Sequence, residues 1–197
     1  MAQVLKDEVR NKILQAASVE IIQHGIDGLQ MRKIAEGADV TVGNLYRYYA
    51  DKESLIHAII EPALNEINNL LQLISDQQLS LLQTSSEIDF NKIYENLEVC
   101  SKGLVDIFYR HTSAMLLLSN EYELSHLTDW FKSILFNILK INEPDLNSRE
   151  LEFLSSLVAI SIIKGMQEGF KIALQSPEAS KNLDKVILKY LQIVLRK

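Results

Sequence analysis

Apolar residues recur at four-residue spacing in Ile13, Ala17 and Ile21, with Leu14 and Ala16 beside them, and the run stops at Gly25. That spacing lines one side of an α-helix. Glycine at its end suits a C-cap, because it enters the left-handed backbone region without a Cβ penalty. A first helix is therefore expected from about Asp7 to His24. After a turn carrying Gly28, the inward set Met31, Ile34 and Ala35 places a short second helix over about Gln30 to Ala38. A brief turn at Asp39 and Val40 leads to Thr41, well placed as the N-cap of a third helix from Val42 to about Tyr49. Asp51, with Ser54 three residues on, caps a fourth. Two short helices joined by a tight turn make a helix-turn-helix. Ala35 supplies the small residue that the close approach needs, and Val40 and Leu45 supply the apolar pins. Helical hairpins of ordinary all-α proteins share this pattern, so the spacing alone leaves both readings open.

Beyond Asp51 nearly everything reads as helix. The 197 residues hold only 7 glycines and 3 prolines, which favours helices over strands and tight turns. Pro62 interrupts "LIHAIIEPALNEINNLL" and predicts a kink or a restart, because it lacks an N–H and crowds the preceding turn. The stretch "SDQQLSLLQTSSEID" reads as a loop. Helices follow at about 90–110, 113–119 and 124–140. "INEPDLN" is a break, Ser148 is the expected cap of a long helix to about Leu174, "QSPEAS" breaks again, and a last helix covers about 180–195.

Several function classes are disfavoured. A lone cysteine, Cys100, cannot form an internal disulfide, so no oxidising compartment is required. The start "MAQVLKDEVRNK" is charged, and no signal peptide is expected. The longest uncharged apolar run, Phe153 to Ile163, is too short for a membrane span; a cytoplasmic protein without a membrane partner is expected. There is no HExxH, CxxC, phosphate-gripping glycine loop or nucleophile elbow. Glu123 and His126 form one Glu-x-x-His, but a di-iron bundle needs a second copy and two further glutamates, so the pair reads as a solvated helix face. No catalytic set, metal or cofactor is expected. The net charge of −6 counts mildly against nucleic acid, since phosphate binding rests on Lys and Arg. Residues 1–55, however, are nearly balanced, with seven cations against eight acids.

"ILQAASVEIIQHG" followed by "MRKIAEGADVTVGNLYRYYADKESL" resembles the TetR family of bacterial transcriptional regulators, over about Ile13 to Leu55. The second string follows that family's "IA…GV…G.LY.YF..KE.L" signature nearly in register. Ile21 stands where the family usually has Phe, Asp39 where it often has Gly, Tyr48 where it often has His and Tyr49 where it often has Phe. Near Leu29 and Gln30 the usual Thr or Ser cap is missing. The resemblance implies that the third helix reads DNA. Tyr46, Arg47 and Tyr48 would cover sugar edges and meet phosphates, with Tyr49 turned into the core. Gly43 would let the helix start lie close to the bases beside Thr41. Val42 and Asn44 would face base edges, where Val can touch a thymine methyl and Asn can bond adenine twice. Arg32 could reach a base or phosphate, and Lys52 would hold a phosphate.

The resemblance further implies a C-terminal domain that encloses a small-molecule effector and dimerises. Phe108, Met115, Tyr122, Trp130, Phe131, Met166, Gln167 and Phe170 are the lining residues to consider, although plain core serves most of them equally well. Gln167 and Asn137 are polar positions that could orient a ligand. The last helix is apolar around well over half its circumference, and the long helix before it is similar. Ser155, Ala159 and Ile162 with Ile187, Leu188, Leu191 and Leu195 are thus the expected dimer interface. The expectation is an all-α chain of about nine helices. Residues 1–50 form the helix-turn-helix domain and 51–197 the effector-binding and dimerisation domain. The expected role is a dimeric repressor of a palindromic operator, released by a ligand. An architectural or cell-division DNA-binding factor without a ligand, or a helical enzyme, are the alternatives.

Overall fold

The computed structural model describes residues 2–84, 90–120 and 125–194. Among them there is no strand, and the helices are α1 (Ala2–His24), α2 (Met31–Gly37), α3 (Val42–Tyr48), α4 (Lys52–Thr84), α5 (Phe90–Arg110), α6 (Thr112–Asn120), α7 (Ser125–Asn142), α8 (Ser148–Gln175), the single turn α9 (Pro177–Ser180) and α10 (Leu183–Val194). No helix among them is long and apolar enough to cross a membrane. Two expectations change. The loop read from residue 75 is helical as far as Thr84, and α4 runs through Pro62 without restarting. The cap of α8 is Asn147 rather than Ser148: its side chain accepts from the Arg149 and Glu150 N–H groups, and Glu150 bonds back to the Asn147 N–H at 2.8 Å. The capping box pairs two otherwise orphaned donor sites reciprocally.

The chain forms two compact units, and neither is continuous in sequence. One comprises Met1–Glu66 with Ile107–Glu121, the other Ile67–Asp106 with Tyr122–Lys197. In the first, the four-residue spacing of α1 buries Ile13, Ala17 and Ile21 completely or nearly so, with Ile34 and Ala35 of α2, Leu45 of α3 and Leu55 of α4. Each fully buried Ile or Leu contributes roughly 1.5–3 kcal/mol. Helix α6 packs on α1, and the Ser113 hydroxyl donates to Ser18 Oγ at 3.1 Å. Glu66 on α4 accepts from Arg110, and His111 Nε2 lies 2.9 Å from its other oxygen. These two partners hold the Glu66 carboxyl below the usual range, the His111 hydrogen bond being the larger cause.

The second unit is built on α7, α8 and α10. Helix α8 buries Leu151, Ser155, Ala159, Ile162, Ile163, Met166, Gln167, Phe170 and Ala173, and α10 buries Leu183, Ile187 and Leu191. Cys100 is buried there too, and burial pushes its thiol up to about 12. That thiol is inert at neutral pH.

Candidate nucleic-acid interface

The turn between α2 and α3 is fixed by backbone bonds that the sequence permits. Helix α2 starts without a side-chain cap at Gln30, as the missing Ser or Thr implies. Its end is a Schellman motif: the Val40 N–H reaches the Ala35 carbonyl at 2.9 Å, and the Asp39 N–H reaches Glu36 at 3.2 Å. Asp39 sits between them at φ 55°. Asp accepts this left-handed conformation better than most non-glycine residues, which explains how the motif forms without the usual glycine. Thr41 then caps α3, its Oγ1 accepting from the Asn44 N–H at 3.1 Å. Leu45 is fully buried and Tyr49 nearly so, which anchors α3 from beneath.

The anchoring leaves one face of α3 outside. Thr41, Val42, Gly43, Tyr46 and Arg47 are exposed, while Asn44 and Tyr48 are half-buried at its edges. A Cβ built at Gly43 would meet no atom within 4 Å. Nothing in the fold therefore requires glycine there, and its bare backbone serves the outer surface. Tyrosine at 46 and 48 presents a ring and a donor at the surface, and Tyr49 faces inward as expected. The opening and closing of α3 are thus both local: a Thr cap before, a buried aromatic after.

The two flanking cations sit less freely than the sequence suggests. Arg32 is highly exposed, but its Nε donates to Glu36 at 3.3 Å, one turn along the same helix. Lys52 directs its Nζ to the Ile26 carbonyl at 2.8 Å and is half-buried. It ties the start of α4 to the loop after α1, and an ammonium has further donors for a phosphate. Asp51 and Ser54 close the start of α4: Asp51 Oδ1 accepts from the Ser54 N–H at 2.7 Å, and the Asp51 N–H donates to Ser54 Oγ at 3.3 Å. The Ser54 bonds hold the Asp51 carboxyl below its usual value.

The residues considered for an effector fall into both units. Phe108 and Met115 are buried in the first. Phe131, Met166, Gln167 and Phe170 are buried in the second, where Trp130 stands edge-on to Phe131 at 5.0 Å. Tyr122 lies outside the described residues, as does Glu123, and the His126 side chain is likewise not described. Asn137 is exposed, so it offers no interior polar group. Among the described residues no group of three or more His, Cys, Asp or Glu could hold a metal ion.

The residues expected at the dimer interface are placed inside the chain. Ser155, Ala159, Ile162 and Leu191 have no exposed surface, Ile187 has almost none, Leu188 is half-buried, and Leu195 lies outside the described residues. They pack α8 and α10 within the second unit. The apolar surface of these helices lies elsewhere: Phe153 (67% exposed), Leu157 and Ile160 on α8, Val186 and Ile193 (65%) on α10. Sequence reasoning missed this set, although Phe153, Leu157 and Ile160 follow the i, i+4, i+7 spacing of one helix face.

Residues 13–59 match the family model described as bacterial regulatory proteins, tetR family. The HTH-type transcriptional repressor KstR of Rhodococcus jostii (strain RHA1) is 36% identical over 63 residues, 32% of this chain and 28% of its own length. The HTH-type transcriptional repressor KstR2 of the same strain is 22% identical over 188 residues, 94% of this chain and 89% of its own. A solved TetR-like transcriptional regulator from Rhodococcus sp. RHA1 shares the fold with a TM-score of 0.60 at 14% identity, over 96% of this chain and 97% of that one. The chain thus spans little more than a quarter of the length of KstR, and the family model covers most of α1, α2, α3 and the start of α4.

Proposed function

We infer that this chain, whose residues 13–59 match the family model of bacterial regulatory proteins, tetR family, is a transcriptional regulator that acts in the cytoplasm, binds a palindromic operator as a dimer and is released by a small-molecule effector. The observation that carries the DNA-binding step is the division of α3 into two faces. Leu45 and the following Tyr49 are buried, while Val42, Gly43, Tyr46 and Arg47 stand outside behind a Thr41 cap. The outer set combines a bare backbone for close approach, amphipathic rings and a cation, which is what a helix entering a major groove requires.

Repression is supported by the relatives KstR and KstR2, both repressors. Dimerisation is supported by the exposed apolar positions of α8 and α10, which form no part of the buried core. A two-fold dimer presents two α3 helices to two half-sites, so the operator is palindromic, with half-sites about one helical turn apart or somewhat more. Effector binding is supported by Gln167, a neutral polar residue buried on α8, the helix that also buries Met166 and Phe170.

The test is selection from a random duplex pool at modest salt, followed by affinity measurement with and without candidate small molecules. An enriched palindrome whose affinity falls when a ligand binds is the expected result. Recovery of no enriched palindrome would remove the DNA-reading role.

A further inference from the structure

We propose that Arg10, on α1, binds a DNA phosphate, and that Tyr49 positions it. This rests on the DNA-binding reading above and adds a residue outside the recognition helix. Tyr49 follows α3 as its C-cap, with its ring buried. Its hydroxyl accepts from Arg10 Nε at 3.2 Å, and the guanidinium carbon stands 5.9 Å from the ring centroid. The guanidinium is therefore fixed at the C-terminal end of α3. A seven-residue helix is about 10 Å long, and the major groove is about 12 Å wide. With the N-terminal end of α3 at the base edges, a group at its C-terminal end lies toward a phosphate row that bounds the groove.

Arg10 is also chemically available. Of the five N–H donors of a guanidinium, only the one on Nε is engaged among the described residues. The four on the two Nη atoms match the paired oxygens of a phosphate. The side chain is exposed, and among the described residues no carboxylate lies within ion-pairing distance of it. Asp7 and Glu61 are the carboxylates that act on it through space. Other cations of this unit are committed: Arg32 to Glu36, Lys33 to Glu20 at 3.9 Å, Arg110 to Glu66, and Lys52 in part to Ile26.

The experiment uses the full chain and its selected operator, with affinity measured across a series of salt concentrations. Arg10→Gln keeps a donor for Tyr49 and removes the charge. It should bind several-fold more weakly at low salt, with the salt slope reduced by about 0.9, the value for one phosphate. Arg10→Lys should retain the slope. Tyr49→Phe should retain the slope but weaken binding, and should add no loss in the Arg10→Gln background. If Arg10 only staples α1 to α3, Arg10→Gln would leave the slope at the wild-type value, and that result overturns the proposal. Wild-type protein with no salt-dependent binding to any enriched duplex would instead remove the DNA reading on which it rests.

Discussion

Tyr190 of α10 donates its hydroxyl hydrogen bond to the Ser161 carbonyl of α8 at 2.6 Å, and Gly165 makes room for it. A Cβ at residue 165 would lie 2.1 Å from the Tyr190 oxygen and 2.4 Å from the ring carbon that bears it. The pair ties α10 to α8 in the second unit. Gly165→Ala should force the phenol away and cost about 1–3 kcal/mol, the range for overpacking a tight site. Tyr190→Phe should cost about 1 kcal/mol, the net worth of one hydrogen bond. Urea unfolding at one fixed protein concentration reads both. A Gly165→Ala variant as stable as wild type would show that Tyr190 has another place to go.

Gly43 separates folding from recognition. Because a Cβ there meets nothing within 4 Å in the free protein, Gly43→Ala should stabilise α3 by about 0.5–1 kcal/mol, the difference in helix preference. In the proposed complex the same methyl group would face the DNA, and it should weaken operator binding. Thr41→Ala, by contrast, removes the cap that the Asn44 N–H uses and should cost about 1 kcal/mol of stability. Thermal unfolding and operator affinity, measured side by side, should move in opposite directions for Gly43→Ala. If both fall together, its backbone matters to the fold and not to the groove.

The proposed dimer surface divides α8 into two predictions. Leu157→Glu or Ile160→Lys changes exposed positions. Either should split the dimer while leaving monomer stability within about 0.5 kcal/mol. Ala159→Glu places a charge at a fully buried site, and an unpaired buried charge should unfold the second unit. Sedimentation and circular dichroism distinguish a folded monomer from an unfolded chain. A Leu157→Glu variant that still sediments as a dimer would place the interface elsewhere.

Asp51 gives the stability a specific acid limb. Its folded-state pKa lies below the usual 3.8 because Ser54 donates to the carboxylate. A lowered folded pKa means that the stabilisation is present above the unfolded value and is lost as pH falls through the folded one. Wild type should thus exceed Asp51→Ala in urea midpoint near neutral pH, and the gap should narrow below about pH 4. A gap that is constant down to pH 2 would mean that the cap acts without its charge.

The sequence determined whatever is decided within about one helical turn. Gly25 does end α1 in the left-handed region at φ 67°, Asp39 does take the turn position, Thr41 and Asp51 do cap α3 and α4, and the spacing of Ile13, Ala17 and Ile21 does give the buried face of α1. Each of these depends on a side chain and on backbone groups three or four residues away. Even the exposed face of α3 was legible, because Leu45 and Tyr49 fix its rotation. Tertiary structure decided what lies beyond that range. It grouped residues 107–121 with the first unit, where Ser113 meets Ser18 at 95 residues' separation. It also turned Ser155, Ala159, Ile162, Ile187 and Leu191 inward and left Phe153, Leu157, Ile160, Val186 and Ile193 outside. On helices with apolar residues around most of their circumference, periodicity marks no single inner face. The close approach that small residues such as Ser155, Ala159 and Gly165 allow was met by packing within the chain, and only the folded chain shows which side that packing used.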